Sequence, residues 1–335
     1  VINIVTFART LQLTRRYGKD IFRKPMAEDT VENVSREDDG DELAGLEGIN
    51  LLNHLKKTGI GNQLAVPTRN GSKAHINLDN SASTPSFWPI RNSFVRALKV
   101  SADVQAEIVR NTRRICADFL GAPESTYESC FVSNTSEALN LAAENLGLAP
   151  ESTFEPVVLT TLLEHSSNDL PYRFVPGTTV ERLSVDDEGF LDLPELETQL
   201  SAYNKYHQHG KKRIRLVVVS GASNVLGTCN NLEQIARIAH KYDARILVDA
   251  AQLVAHRRIN MKALDIDFLA FSAHKIYAPF GSGMLLARRD LLNFSSEKFA
   301  SIQASGESNV AGIAALGTSL SLLQRIGMEI IEAKE

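Results

Sequence analysis

The stretch IRLVVVSGASNVLGTCNNLEQIARIAHKYDARILVDA, residues 214–250, decides the fold. It opens and closes on short aliphatic runs, IRLVVVS at 214–220 and RILVDA at 245–250, each apolar on both faces. Between them NLEQIARIAHKY repeats apolar residues at helical spacing. A strand buried on both faces and joined to the next through a helix is the unit of a parallel sheet covered on each side.

The same alternation extends both ways. Upstream stand SCFVS at 129–133 before SEALNLAAENL, PVVLTT at 156–161 before SSNDLPYRF, and TVERLSV at 179–185 before PELETQLSAY. Downstream come DFLAFS at 267–272 and GMLLARR at 283–289. Ahead of all of them, Val104, Ile108, Ile115 and Phe119 recur at helical spacing between Ser101 and Leu120, with Gly121 and Pro123 as the stop. The predicted fold class is α/β, a mostly parallel sheet covered by helices on both faces. No fixed-period repeat is visible, and no Gly-rich dinucleotide fingerprint follows any strand, which argues against a nicotinamide-binding domain.

Composition narrows the function classes. The 335 residues, 43% hydrophobic and 23% charged, lie near the soluble globular average, with room for a sizeable core. A net charge of -4 leaves no basic footprint for nucleic acid or an anionic membrane, and no apolar run is long enough to span one. Cys116, Cys130 and Cys229 are too few and too scattered for a disulfide framework or a paired-cysteine zinc site, so a reducing compartment, the cytoplasm, is expected. His207 and His209 lack a third ligand close in sequence, and no metal site is expected.

Along the chain, VINIVTFARTLQLTRRYGKD at 1–20 is Arg-rich and acid-free until Asp20, a weak presequence pattern. Ala27 to Gly48 is charge-dense and reads as a solvated linker, and organised sequence is expected from near His75. The expected organisation is an N-terminal extension and acidic linker over 1–72, partly disordered, and a major domain over 73–305. Residues 306–335 would begin a helix leading to a C-terminal small domain that this chain does not contain, with RIGMEIIEAKE read as one amphipathic helix.

Ligands of an open α/β sheet bind beyond the carboxyl ends of the strands, and the residues there are unusually polar. Thr135 and Ser136 open a helix, where they serve either as caps or as an anion site. Asp249 ends an aliphatic strand, where an unpaired carboxylate would cost several kcal/mol, so it needs a cationic partner. Lys275 follows a buried strand and precedes the turn-rich A-P-F-G-S-G. A lysine there is either solvated surface or a desolvated amine able to form a Schiff base. His165 could be a core residue, a base or a flat ring for stacking. Cys229 reads as a packing residue ahead of a helix rather than a mobile nucleophile.

Taken together, these segments resemble the class V aminotransferase family of fold-type I pyridoxal-phosphate enzymes, which contains the cysteine desulfurases and selenocysteine lyases. The resemblance runs in order from about Asn77 to Glu335. It is carried by L-D-N-S-A-S-T-P at 78–85, S-N-T-S-E-A-L-N at 133–140, E-H-S-S-N-D-L-P at 164–171, S-N-V-L-G-T at 223–228, V-D-A-A-Q at 248–252 and S-A-H-K-I-Y-A-P-F-G at 272–281. It implies that pyridoxal 5'-phosphate is the cofactor, Lys275 the Schiff-base lysine, Asp249 the partner of the pyridinium nitrogen and His165 the ring that stacks on the cofactor. It further implies that Thr135, Ser136, Ser272 and His274 hold the phosphate, with Gln252 and Asn224 beside the ring oxygen.

The chain also departs from the family. The resemblance implies that the substrate-carboxylate arginine and the desulfurases' nucleophilic cysteine would lie in a small domain beyond the lysine, which the chain is expected to end before. S-G-E-S-N at 305–309 stands where many relatives carry G-T-P-N or G-S-P-N, which would put Glu307 near the neighbouring subunit's phosphate unless Ser308 takes the role. The expected function is that of a homodimeric enzyme acting on an amino acid by desulfuration, amino transfer or elimination. The alternative is a degenerate member that serves as a binding or scaffold module.

Overall fold

The computed structural model describes residues 43–148 and 153–335. The Arg-rich stretch and most of the acidic linker therefore lie outside the described residues. Gly45–Glu335 form one compact unit, with no division at residue 72 or 305. Organised structure begins well ahead of His75. A helix at Gly48–Leu55 buries Leu51 and Leu55 completely, and a two-stranded hairpin follows, β1 (Ala65–Thr68) and β2 (Gly71–Ala74). Two leucines four residues apart are enough to dock one helical turn, a signal that the dense charge around them hides in composition.

Seven strands form the main sheet: β3 (Tyr127–Val132), β4 (Glu155–Thr161), β5 (Thr179–Leu183), β6 (Lys212–Ser220), β7 (Arg245–Asp249), β8 (Phe268–Ser272) and β9 (Gly283–Arg288). Their order is β3-β9-β8-β7-β6-β4-β5. Pairing is parallel from β8 through β5, whereas β9 runs antiparallel to both neighbours. Each apolar run of the sequence has become a strand. Leu247 joins Ala138, Leu139, Ala142 and Ala143 of helix Thr135–Gly147 in one buried cluster. Its fully buried neighbours Ile246 and Val248 point to the opposite face, where helix Leu232–Lys241 packs on β7.

The helices depart further from the sequence reading. Helix Ala102–Phe119 forms, but it buries Val109, Thr112, Cys116 and Ala117, while Val104 stays exposed. The stripe is displaced because this helix lies against helix Val310–Ile326, where Gly317 meets Thr112 too closely for any added side chain. SSNDLPYRF is no helix but two 3-10 turns, Ser166–Asn168 and Pro171–Phe174, since Pro171 can only begin a helical turn. RIGMEIIEAKE is broken at Gly327, whose φ of 89° ends one helix before Met328–Glu332 starts another. Helix Val310–Ile326 is almost wholly buried against Trp88–Ala97 and Ala102–Phe119, so it belongs to the same unit as the sheet.

At the opposite end of the strands from the polar residues, fully buried Asp267 accepts from His240 Nε2 at 2.7 Å, Arg288 Nε at 2.9 Å and the Ile246 amide at 2.9 Å. His240 Nδ1 meets Asp265 at 2.8 Å. This network staples helix Leu232–Lys241 to the starts of β7 and β8 and the end of β9. No helix among the described residues is long and apolar enough to cross a membrane.

Candidate active site

The carboxyl ends of the strands open on a cleft of about 630 Å³. It brings together all nine residues singled out in the sequence: Thr135, Ser136, His165, Asn224, Asp249, Gln252, Ser272, His274 and Lys275. Asp79, Ser81, Asn134, Ser167 and Ser220 join them.

The floor is built by β7 and β8. Asp249 is the last residue of β7, and its Oδ1 accepts from the Ala251 amide at 2.9 Å. Burial pushes its carboxyl above the usual range, opposed by that amide and by the charge of Lys275. β8 ends at Ser272, and the 3-10 turn Ala273–Lys275 carries His274 and Lys275 into the cleft. Burial lowers the pKa of Lys275, and Asp249 works against that shift. His274 is lowered too, by burial and then by Lys275. The turn is fastened from the segment before it in sequence. Thr84 donates to the His274 carbonyl through its amide at 2.9 Å and its hydroxyl at 3.0 Å, and it accepts from the Tyr277 amide at 2.7 Å.

One wall is the start of helix Thr135–Gly147. Asn134 caps it, accepting from the Glu137 amide at 3.0 Å. The Thr135 amide and hydroxyl both lie 2.5 Å from Ser272 Oγ, so two residues 137 apart in sequence meet at this helix end. The hydroxyls of Thr135, Ser136 and Ser272 and the positive end of the helix dipole suit an anion there.

Opposite stands the turn after β4. The Ser167 amide donates to His165 Nδ1 at 3.2 Å, and Ser167 Oγ lies 3.0 Å from Nδ1 and 2.7 Å from Ser136 Oγ. Nδ1 therefore accepts, and in the neutral ring the proton sits on Nε2. Sequence reasoning assigned Ser167 no role, although a hydroxyl two residues beyond a histidine is the local spacing that lets it bond the ring. Gln252 donates to the Ser81 carbonyl at 2.8 Å, whereas Asn224 is exposed on the loop after β6.

Glu307, expected near a phosphate, is taken up by Arg113, and Ser308 donates to the Ser305 carbonyl at 2.6 Å. The arginine reaches it across β3, which helix Ser296–Glu307 packs against. Burial pushes the Cys116 and Cys130 thiols up to about 12, and Cys229 is half-buried with its thiol also raised by burial. His209 lies flat against Tyr203, ring centroids 3.7 Å apart.

The profile described as Aminotransferase class-V matches residues 89–335. A cysteine desulfurase of Dickeya dadantii is 33% identical over 263 residues, covering 72% of this chain and 59% of that protein. A cysteine desulfurase of Synechococcus elongatus is 34% identical over 290 residues, covering 77% of this chain and 44% of the other. The chain thus spans 44% and 59% of the length of these curated relatives. Among solved structures, the apo cysteine desulfurase of Thermococcus onnurineus NA1 superimposes with a TM-score of 0.65 at 28% identity, over 76% of this chain and 69% of that one. A NifS-like protein of Rickettsia africae ESF-5 gives 0.64 at 25% identity, over 75% and 69%.

Proposed function

Because the chain belongs to the aminotransferase class-V family, we propose that its cleft holds pyridoxal 5'-phosphate and that it acts on an amino acid through Lys275, in the manner of a cysteine desulfurase or a class V aminotransferase. The observation that carries this reading is the meeting of Lys275 and Asp249 at the ends of adjacent strands, each desolvated and each perturbed by the other.

The residues fit the cofactor. Asp249 forms no ion pair with an arginine or lysine among the described residues, so a protonated ring nitrogen would supply the cation its burial calls for. The hydroxyls of Thr135, Ser136 and Ser272 and the His274 ring surround the helix N-terminus where a phosphate would sit. When bound, the cofactor supplies an electron sink for a carbanion at the substrate's α-carbon.

The chain's own groups do the rest. Asp249 holds the ring nitrogen protonated. The lowered pKa of Lys275 shifts it toward the neutral amine, which would anchor the cofactor and could hold and move the proton at the substrate's α-carbon. Ser167 fixes the His165 tautomer, and that ring would be the one to stack on the cofactor. A homodimer belongs to the same reading, supported by exposed Leu162, Val225 and Leu226 on loops that flank the cleft and need cover.

Borohydride reduction of the pyridoxal-phosphate-loaded protein, followed by peptide mapping, tests the anchor. The pyridoxyl group is expected on Lys275. A label on another lysine, or a protein that stays colourless after reconstitution, would overturn the reading.

A further inference from the structure

We propose that Glu164 is a positioning residue of the cleft, whose carboxylate fastens the turn carrying His165 to the ends of β4 and β6. The inference rests on the proposed function for its consequence, but its geometry is independent of any cofactor.

Glu164 Oε1 accepts from Thr161 Oγ1 at 2.7 Å. Oε2 accepts from Asn168 Nδ2 at 2.5 Å and from Ser220 Oγ at 2.7 Å. These three donors come from three places: the last residue of β4, the 3-10 turn Ser166–Asn168 and the last residue of β6. The side chain is only partly exposed, and among the described residues no lysine, arginine or histidine pairs with it. A desolvated carboxylate without a cation is costly unless its lone pairs are satisfied by donors. Pulling any one of the three segments away would strand a lone pair, so the carboxylate couples all of them.

What this coupling controls is His165. The imidazole is exposed at the rim of the cleft, so packing does not fix it. Its placement comes from the backbone on either side, and that backbone is pinned at Glu164 directly before it and at Asn168, fully buried, three residues after it. Within this span the Ser167 amide reaches Nδ1 and Ser167 Oγ reaches Ser136. On the far side, Ser220 stands in register with Asp249 on the neighbouring strand. One carboxylate thus ties the two residues assigned to the cofactor's face and ring nitrogen into a common frame.

The test compares Glu164→Gln with Glu164→Ala. The amide keeps an acceptor for Asn168 and Ser220 and can donate to the rotatable Thr161 hydroxyl, so the clamp survives, whereas alanine abolishes it. The first readout needs no cofactor. Long-range 15N–1H NMR of the histidine rings in the cofactor-free protein, with His165 assigned by His165→Gln, should show the Nε2–H tautomer in wild type and Glu164→Gln. A tautomer mixture is expected in Glu164→Ala.

The second readout is pyridoxal-phosphate release after gel filtration. It should quicken roughly tenfold or more in Glu164→Ala, with a displaced visible band, as expected for losing about 1.4 kcal/mol or more of positioning. Glu164→Gln should stay close to wild type in both. Thr161→Val and Ser220→Ala, which each remove one donor without opening a large cavity, should move both readouts the same way. They replace Glu164→Ala should that variant fail to fold. Wild-type tautomer and wild-type release in Glu164→Ala, or in both single-donor variants, would overturn the proposal. A wild type that never binds the cofactor sinks the functional reading instead, and the tautomer measurement still decides Glu164.

Discussion

A single carboxylate at a strand end illustrates how little chemistry needs to be specified once a sheet has set the positions. Asp249 lies beside Lys275 because β7 and β8 are parallel neighbours, and it is desolvated because the strand behind it is aliphatic. On the proposed function, Asp249→Asn should therefore leave the fold and much of the pyridoxal-phosphate binding intact, since phosphate contacts would contribute separately, while cutting turnover by roughly two orders of magnitude or more. A charge interaction that strengthens as a carbanion forms acts on the transition state. Steady-state turnover with any accepted amino acid, set against the visible absorbance of the reconstituted variant, checks this. Equal turnover in variant and wild type would reduce Asp249 to a structural role. At this scale the place of Lys275, Asp249 and Thr135 in the cleft was legible because each lies within three residues of the end of an apolar run. Glu164, Ser167 and Ser220 were not assigned, because their importance lies in hydroxyl–carboxylate and hydroxyl–imidazole distances that no spacing rule reports. Arg113 and Glu307, 194 residues apart, were invisible as a pair for the same reason.

Among the elements, strands were easier to read than helices. A strand buried on both faces is written as a continuous apolar run, which β7, β8 and β9 carry almost unbroken, whereas the edge strand β5 buries only Leu183. A helix declares only a stripe, and the partner decides which part of it is buried; at Ala102–Phe119 the partner is a helix more than 190 residues away. The hairpin β1–β2 has almost no buried side chain, which explains why periodicity passed over it. The packing of helix Ser296–Glu307 on β3 depends on Gly306, where an added Cβ would collide with the backbone carbonyl of Phe131. A carbonyl inside a sheet cannot give way. Gly306→Ala should thus cost roughly 2–4 kcal/mol despite alanine's better helix propensity of about 1 kcal/mol. Chemical denaturation of the two proteins measures it, and a variant as stable as wild type would mean that the helix can shift off the strand.

For the molecule as a whole, the sheet divides labour between its two ends: the carboxyl ends of the parallel strands collect the cleft, while the other end holds the Asp265–His240–Asp267–Arg288 staple. The staple joins elements mechanically, and it also binds a proton. Both imidazole nitrogens of His240 face carboxylates, so the protonated ring can donate to both, an arrangement that favours the imidazolium. The hydrogen bond to Asp267 raises its pKa above the ordinary value, with burial opposing and the charges of Asp267 and Asp265 assisting. A group whose folded pKa is raised binds its proton more tightly in the native state, so the native state takes up protons that the unfolded chain releases. The resulting stabilisation is complete below the unfolded pKa of about 6.5 and disappears as pH climbs through the higher folded value. Thermal unfolding followed across that window should show wild type exceeding His240→Gln most on the acid side, with the gap closing toward alkaline pH. A gap that stays constant with pH would remove the imidazolium from the account. Alkalinity should thus loosen the molecule at the end remote from the cleft, making a proton at His240 a silent cofactor of the fold.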